Sequence, residues 1–209
     1  MSDWTENITV LDDIFSKEEI RDNWIDCNRE DWRHGWYSNE DIKKSKSSPP
    51  YWHCALGGDD LTRTDVYIES NWVQKIWDKI LLNSYKELKL LRVYLNGHTA
   101  GQPGGIHIDG WTPDQFTVIY YANPNMTPYD GGALEIWTPN ITDEHKAMAL
   151  DTPYGGPFGP SGPDILKSVW PRPGRVVLFD ARFPHCASAL TSTSDKFRVS
   201  LVFKATKTA

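Results

Sequence analysis

Lys89-Leu90-Leu91-Arg92-Val93-Tyr94-Leu95-Asn96-Gly97 is the stretch that decides the fold. Leu91, Val93 and Leu95 alternate with Arg92 and Tyr94, a period of two that belongs to a strand with one apolar face. The same rhythm returns at Ile106–Asp109, Phe116–Ala122, Ala133–Trp137, Arg175–Asp180 and Phe197–Lys204. These runs are short, rich in β-branched and aromatic residues, and separated by Gly, Pro, Asn and Asp, which is the pattern of an all-β sandwich or barrel.

Upstream of Lys89 the period is helical. Ser16-Lys17-Glu18-Glu19 has the form of a capping box, with Phe15 and Ile20 placed to staple the entry, and Ile20, Trp24 and Cys27 follow at helical spacing. A second helix is predicted from about Asn71 to Leu88, its apolar face marked by Trp72, Val73, Ile76, Trp77, Ile80, Leu81 and Leu88. Between the two lies a stretch read as irregular, broken by Ser47-Ser48-Pro49-Pro50. Helices first and strands after predict a mainly β fold with flanking helices: a double-stranded β-helix, or jelly-roll, core buttressed by N-terminal α-helices.

The 209 residues fit one domain. Within it, residues 1–88 are expected to be helical support and residues 89–209 the jelly-roll core. A Gly/Pro-rich insert at 141–168, densest at Thr152–Pro160, is either a lid or a merely mobile loop. The ten Trp residues follow no repeat period, against a propeller or solenoid.

The net charge of −6 speaks against nucleic-acid binding, which needs a broad basic surface. The one basic run, Lys43-Lys44-Ser45-Lys46, reads as a solvated loop. Three cysteines, Cys27, Cys54 and Cys186, form no disulfide framework or Cys-rich zinc pattern. A reducing, cytoplasmic setting is therefore expected, with no signal peptide and no bilayer span.

The sharpest local feature is His107-Ile108-Asp109. In a strand, residues two apart face one side, so an imidazole and a carboxylate would project together. A third ligand can come from His185, in Phe183-Pro184-His185, just after the apolar run 175–180. Two imidazoles and one carboxylate make the facial triad of non-haem iron(II) oxygenases. By itself a His-x-Asp pair is common. Arg198-Val199-Ser200 adds a second anchor, because a guanidinium and a hydroxyl on one strand face suit a carboxylate.

Taken in order, His107-x-Asp109, His185 and Arg198-x-Ser200 resemble the 2-oxoglutarate/Fe(II)-dependent oxygenase superfamily, and within it the prolyl 4-hydroxylase-like branch. Val93–Gly97, Val118–Asn123, Gly131–Ile136 and Pro173–Phe179 resemble strands of that branch as well. The resemblance covers roughly Lys89 to Lys204. It implies that His107, Asp109 and His185 ligate Fe(II), and that Arg198 pairs with the far carboxylate of 2-oxoglutarate. It further implies that Tyr121 donates to that carboxylate, that Ser200 assists, and that Tyr94 lies close to the cosubstrate. Core packing is the competing reading for both tyrosines. Many prolyl hydroxylases carry Lys where Arg198 stands, so Arg198 does not fix the subfamily.

The activity implied is oxidative decarboxylation of 2-oxoglutarate to succinate with dioxygen, coupled to hydroxylation of a substrate C–H bond, with ascorbate as a reductant. Asp109 points away from halogenation, whose enzymes lack this carboxylate. A peptidyl proline, a free amino acid and another small metabolite all stand open as substrate. A carbohydrate-binding module, or a metal-binding protein without turnover, is the alternative from another class. His34, His53, His98 and His145 read as surface or loop histidines, with His98 near enough to line the site. Trp111 is a candidate rim residue, Asp180 and Arg182 a candidate pair near the distal His, and Cys186 core filler.

Overall fold

The computed structural model describes residues 7–46, 48–58, 68, 70–138 and 165–208. Its elements, in chain order, are β1 (Ile8–Leu11), α1 (Lys17–Arg29), β2 (Arg33–Trp36), α2 (Glu40–Ser45), β3 (Tyr51–Gly58), α3 (Asn71–Ser84) and β4 (Leu88–His98). They continue with β5 (Gln115–Tyr121), β6 (Leu134–Trp137), β7 (Ile165–Val169), β8 (Val176–Asp180), β9 (His185–Ala187) and β10 (Arg198–Lys207).

The entry to α1 follows its sequence. Ser16 Oγ accepts from Glu19 N at 3.2 Å, while Ser16 N donates to the Glu19 carboxylate at 2.7 Å. Both orphan amides are satisfied reciprocally. Helix α3 stops earlier than its apolar pattern predicts. Tyr85 takes a left-handed conformation (φ 53°) after Ser84, and Leu88 opens β4 instead of closing the helix. Leu88 is apolar in either role, so periodicity alone could not place it.

Among the described residues the strands form two antiparallel sheets: a seven-stranded one in the order β1-β8-β5-β10-β4-β3-β2, and a three-stranded one in the order β7-β6-β9. This is the mainly β, two-sheet arrangement expected of a jelly roll. Three strands of the large sheet, β1, β2 and β3, come from residues 1–88, which the sequence reading had as helical support and irregular chain. The reason is visible in β3: Tyr51, His53 and Cys54 are buried on two faces and show no clean alternation. Lys43 and Lys44 lie in the short helix α2, exposed, and not in a loop. Ile106–Asp109 is no regular strand; it makes a single bridge, His107 with His185. Of the predicted insert, Ile165–Ser168 belongs to β7, and the lid reading of 141–164 lies outside the described residues.

Strand β10 is the centre of the large sheet. It pairs with β5 through Ser200–Tyr121 and Lys204–Thr117, and with β4 through Arg198–His98 and Val202–Tyr94. Its alternate residues face two different environments. Val199, Leu201, Phe203 and Ala205 join Val118 and Tyr120 of β5, Val93 and Leu95 of β4, and the apolar faces of α1 and α3 in one core. On the other face Val202, Tyr94, Ile119 and Tyr121 meet Leu134 and Ile136 of the small sheet. Helix α3 thus backs the strand that carries Arg198: the Trp77 and Phe203 rings stack with centroids 5.0 Å apart.

Trp77 is almost fully buried and Leu82, on the far side of the same helix, is 76% exposed. Trp77→Ala should lower unfolding free energy by about 3–5 kcal/mol through lost contact and a residual cavity. Leu82→Ala should stay within about 0.5 kcal/mol. Urea unfolding followed by tryptophan fluorescence and far-UV circular dichroism separates the two.

Candidate metal centre and cosubstrate pocket

The segment before β5 runs beside the segment 181–187 and is tied to it repeatedly. His107 N donates to His185 O at 3.1 Å, His185 N donates back to His107 O at 2.9 Å, and Asp109 N and Gly110 N both donate to Ala181 O, at 2.8 and 3.0 Å. This pairing brings the two imidazole rings within 4.4 Å of each other, centroid to centroid. It also places Asp109 between them. Asp109 Oδ1 lies 3.4 Å from His107 Nε2, and Oδ2 lies 3.2 Å from His185 Nε2.

The imidazoles are held in one tautomer. His107 Nδ1 sits 2.8 Å from Gly105 O, and His185 Nδ1 sits 2.9 Å from Phe183 O. A carbonyl only accepts, so Nδ1 carries the proton and Nε2 presents a lone pair. Burial pushes the pKa of His185 below its ordinary value, which keeps this ring neutral. Burial pushes the Asp109 carboxyl up, but the Lys204 ammonium together with the His185 and His107 imidazoles outweighs that and holds it well below the usual carboxylate range. Two neutral nitrogens and a carboxylate, with their ligand atoms all within 4.8 Å of one another, form a set that can chelate one cation.

The cavity that contains this triad is also lined by Arg198, Tyr121, Ser200 and Tyr94, so the expected metal ligands and cosubstrate residues face one space. Arg198 is 2% exposed. Its Nη1 donates to Gly132 O at 2.7 Å, and its Nε has no hydrogen-bond partner among the described residues. Burial depresses the Arg198 pKa, because desolvation disfavours the charged form. Burial raises the Tyr121 hydroxyl to about 12, so it remains a donor.

The profile of the 2OG-Fe(II) oxygenase superfamily matches residues 91–204, more than half of the chain. The chain belongs to that superfamily. No curated protein matches the sequence significantly. Solved structures show the fold. An oxidoreductase of the 2OG-Fe(II) oxygenase family from Burkholderia pseudomallei is 14% identical with a TM-score of 0.63, over 96% of this chain and 85% of that one. A prolyl-4-hydroxylase from Pseudomonas putida is 12% identical with a TM-score of 0.59, over 97% and 93%. HygX from Streptomyces hygroscopicus, with nickel and 2-oxoglutarate bound, is 14% identical with a TM-score of 0.57, over 97% and 83%.

As a member of the superfamily, the oxygenase uses Fe(II) and 2-oxoglutarate, and its donor set fits both. Imidazole and carboxylate suit ferrous iron, and a buried guanidinium with an unsatisfied donor suits a dicarboxylate. The structure also adds residues that the sequence reading passed over. Lys204 and Thr117 contact Asp109 from the large sheet. Tyr51 lines the cavity and stacks on His98 with centroids 4.6 Å apart. Period two was the signal for Lys204 and Thr117, since 198, 200, 202 and 204 share one face, as do 117, 119 and 121. Tyr51 gave no signal, because it lies in the stretch read as irregular.

The four other histidines divide. His34 is exposed, as expected. His53 and His98 are buried, against the surface reading; His53 Nδ1 donates to Asn96 Oδ1 at 3.1 Å and His98 Nδ1 to Gln102 O at 3.1 Å. His98 lines the cavity, and burial together with nearby Arg198 pushes its pKa well down, so it adds no charge there. His145 lies outside the described residues. Trp111 is 46% exposed, Arg182 makes a two-pronged ion pair with Asp180, and Cys186 is buried.

Gly132 sets the position of Arg198. Its φ is +75°, and a Cβ there would stand 2.8 Å from Leu190 Cδ2 and 3.2 Å from both Cδ and Nη1 of Arg198. Gly132→Ala should therefore displace the guanidinium and raise the Kd for 2-oxoglutarate on the order of tenfold, equivalent to about 1.4 kcal/mol. Titration of the metal-loaded protein with 2-oxoglutarate measures this. An unchanged Kd would mean either that Arg198 does not hold 2-oxoglutarate or that its position does not depend on the Gly131–Gly132 turn.

Proposed function

We propose that His107, Asp109 and His185 hold the ferrous iron and that Arg198, with Tyr121 and Ser200, holds the far carboxylate of 2-oxoglutarate, Tyr94 lying beside it. The observation that carries this is the buried guanidinium of Arg198. It stands in the wall of the same cavity as the triad, and among the described residues its Nη1 meets carbonyl acceptors while its Nε has no partner. Neutral acceptors leave the charge in place, whereas a carboxylate neutralises it and can accept from two donors at once. Tyr121, protonated by burial, and Ser200, its direct cross-strand neighbour, supply hydroxyls on the same wall.

When bound, iron and 2-oxoglutarate supply the oxidising chemistry: 2-oxoglutarate loses carbon dioxide, one dioxygen atom enters succinate and the other becomes the product hydroxyl. The protein's part is geometry and shelter. The carbonyls of Gly105 and Phe183 fix the imidazoles, and the apolar side chains of Ile119, Leu134 and Val202 line part of the cavity. Asp109 fills the carboxylate position, which favours hydroxylation over halogenation.

For substrate we put forward a prolyl residue in a peptide. The likeness to the Pseudomonas prolyl-4-hydroxylase supports it. So does the likeness to a Trichoplax adhaerens prolyl hydroxylase in complex with a hypoxia inducible factor peptide fragment, 14% identical with a TM-score of 0.60. A small-metabolite substrate is the second reading, supported by the likeness to HygX with hygromycin B bound. We read residues 1–209 as one oxygenase domain, supported by α1 and α3 packing on the same sheet that carries Arg198. A cytoplasmic setting is supported by three buried free thiols. Among the described residues no helix is long and apolar enough to cross a membrane.

Succinate formed from 2-oxoglutarate under air, with Fe(II) and ascorbate, tests the reading. Wild type should turn over slowly without substrate and faster with prolyl peptides, and Asp109→Ala should lose the activity. Arg198→Ala should raise the KM for 2-oxoglutarate roughly 30-fold or more, as for truncation of a buried charge contact worth 2–5 kcal/mol. Wild-type protein that forms no succinate, and that gives no visible charge-transfer band with Fe(II) and 2-oxoglutarate under argon, would overturn the assignment.

A further inference from the structure

Lys204 enters the cavity from the strand that carries Arg198 and Ser200, on the same face. Its ammonium contacts Asp109 Oδ2 and lies 3.4 Å from Thr117 Oγ1. The Thr117 hydroxyl donates to that same carboxylate oxygen at 2.6 Å. Two donors from neighbouring strands therefore converge on Oδ2, which also lies 3.2 Å from His185 Nε2, while Oδ1 faces His107 Nε2. The register makes this arrangement rigid, since Lys204 and Thr117 are directly paired across β10 and β5.

A lysine here is not what the fold needs. Leu201, Val202, Phe203 and Ala205 around it are all buried, and a buried ammonium costs free energy that an apolar residue would not. Its position beside a metal-binding carboxylate has two consequences. It shares the negative charge of Asp109, so the carboxylate is a weaker donor, and its own charge repels an incoming cation. It also fixes one oxygen, so that the carboxylate cannot swing to present both.

We infer that Lys204 is a positioning residue that acts through Asp109: together with Thr117 it fixes which carboxylate oxygen meets the metal, and it weakens the site's hold on that metal. This rests on the reading that the His107–Asp109–His185 triad binds iron. A lysine kept only for stability would do the opposite when removed, because a disordered site binds metal less well. The sign of the change in affinity therefore separates the two roles.

The test uses the full chain as wild type, Lys204→Met, Lys204→Arg, Thr117→Val and His107→Ala. Co(II) affinity is measured by equilibrium titration, and the Fe(II)–2-oxoglutarate charge-transfer band is recorded under argon. Lys204→Met should bind Co(II) about tenfold more tightly than wild type, through relief of like-charge repulsion, and its band should move to longer wavelength as the carboxylate donates more. Lys204→Arg should restore both values. Thr117→Val should shift both in the direction of Lys204→Met, by less. If wild type binds no Co(II), or His107→Ala binds it equally well, the triad reading itself fails. If those controls behave but Lys204→Met binds Co(II) no more tightly and leaves the band in place, Lys204 is structural and the inference falls. Should Lys204→Met fail to fold, Thr117→Val decides on the same two readouts, an unchanged affinity and band counting against it.

Discussion

The reciprocal backbone hydrogen bonds between His107 and His185 are the constraint on which the site depends. His107 belongs to the irregular segment before β5, and His185 opens β9 in the small sheet. Without this pair the two ligand-bearing segments would share no fixed register. Neighbouring contacts extend it on both sides: Gly104 N to Ala187 O at 2.8 Å, and Asp109 N to Ala181 O at 2.8 Å. Because side chains alternate along extended chain, a slip of one residue would turn the imidazoles to opposite faces. Trp137 N, donating to Pro184 O at 2.9 Å, ties the His185 segment to β6. The apolar face between the sheets, through Ile136 and Phe183, packs beside the pair.

Much of this was legible in the sequence, and the reasons differ by residue. The triad could be read because its three residues are types with few other reasons to cluster, and because His107 and Asp109 are two apart. Arg198 and Ser200 could be read because a charged residue recurs in phase with a hydroxyl inside an apolar strand. The same phase extends to Lys204, but a lysine near a strand end has an ordinary explanation as an exposed edge charge. Only its register opposite Thr117 shows that it points inward. The strand β3 was not legible, since burial on both faces erases the alternation that marks a strand. Nor was the end of α3, where Tyr85 adopts a left-handed conformation that sequence pattern does not announce. The surface reading of His53 failed for the same reason as β3: its burial follows from pairing with Asn96 on β4, a contact 43 residues away.

The large sheet performs two tasks that conflict energetically. Its inner face buries Arg198, Ser200, Lys204, Thr117, His53 and His98, polar groups whose desolvation opposes folding. Its outer face buries an aliphatic and aromatic core against α1 and α3, with Val118, Leu201, Phe203 and Trp77 essentially inaccessible. The helices are thus more than a cover. They provide the apolar burial that lets β10 and β5 carry charge on their other side, at about 25 cal/mol for each Å² removed from water.

That division also explains how the inner face tolerates two buried cations on one strand. Arg198 and Lys204 occupy opposite ends of the inward-facing row of β10, so they do not repel each other at short range. Each is offset differently. Lys204 has the Asp109 carboxylate within contact, a full opposite charge. Arg198 has, among the described residues, the carbonyl dipoles of Gly132 and Ser188. The asymmetry follows from what each end has to do. On the assignment proposed above, the counter-charge at the Lys204 end is resident and would be part of the metal site, whereas one at the Arg198 end would arrive with the cosubstrate and leave with its product. On that assignment a resident carboxylate beside Arg198 would stabilise the fold and close the pocket to 2-oxoglutarate, so cosubstrate binding there calls for a guanidinium whose partners among the described residues are neutral carbonyls.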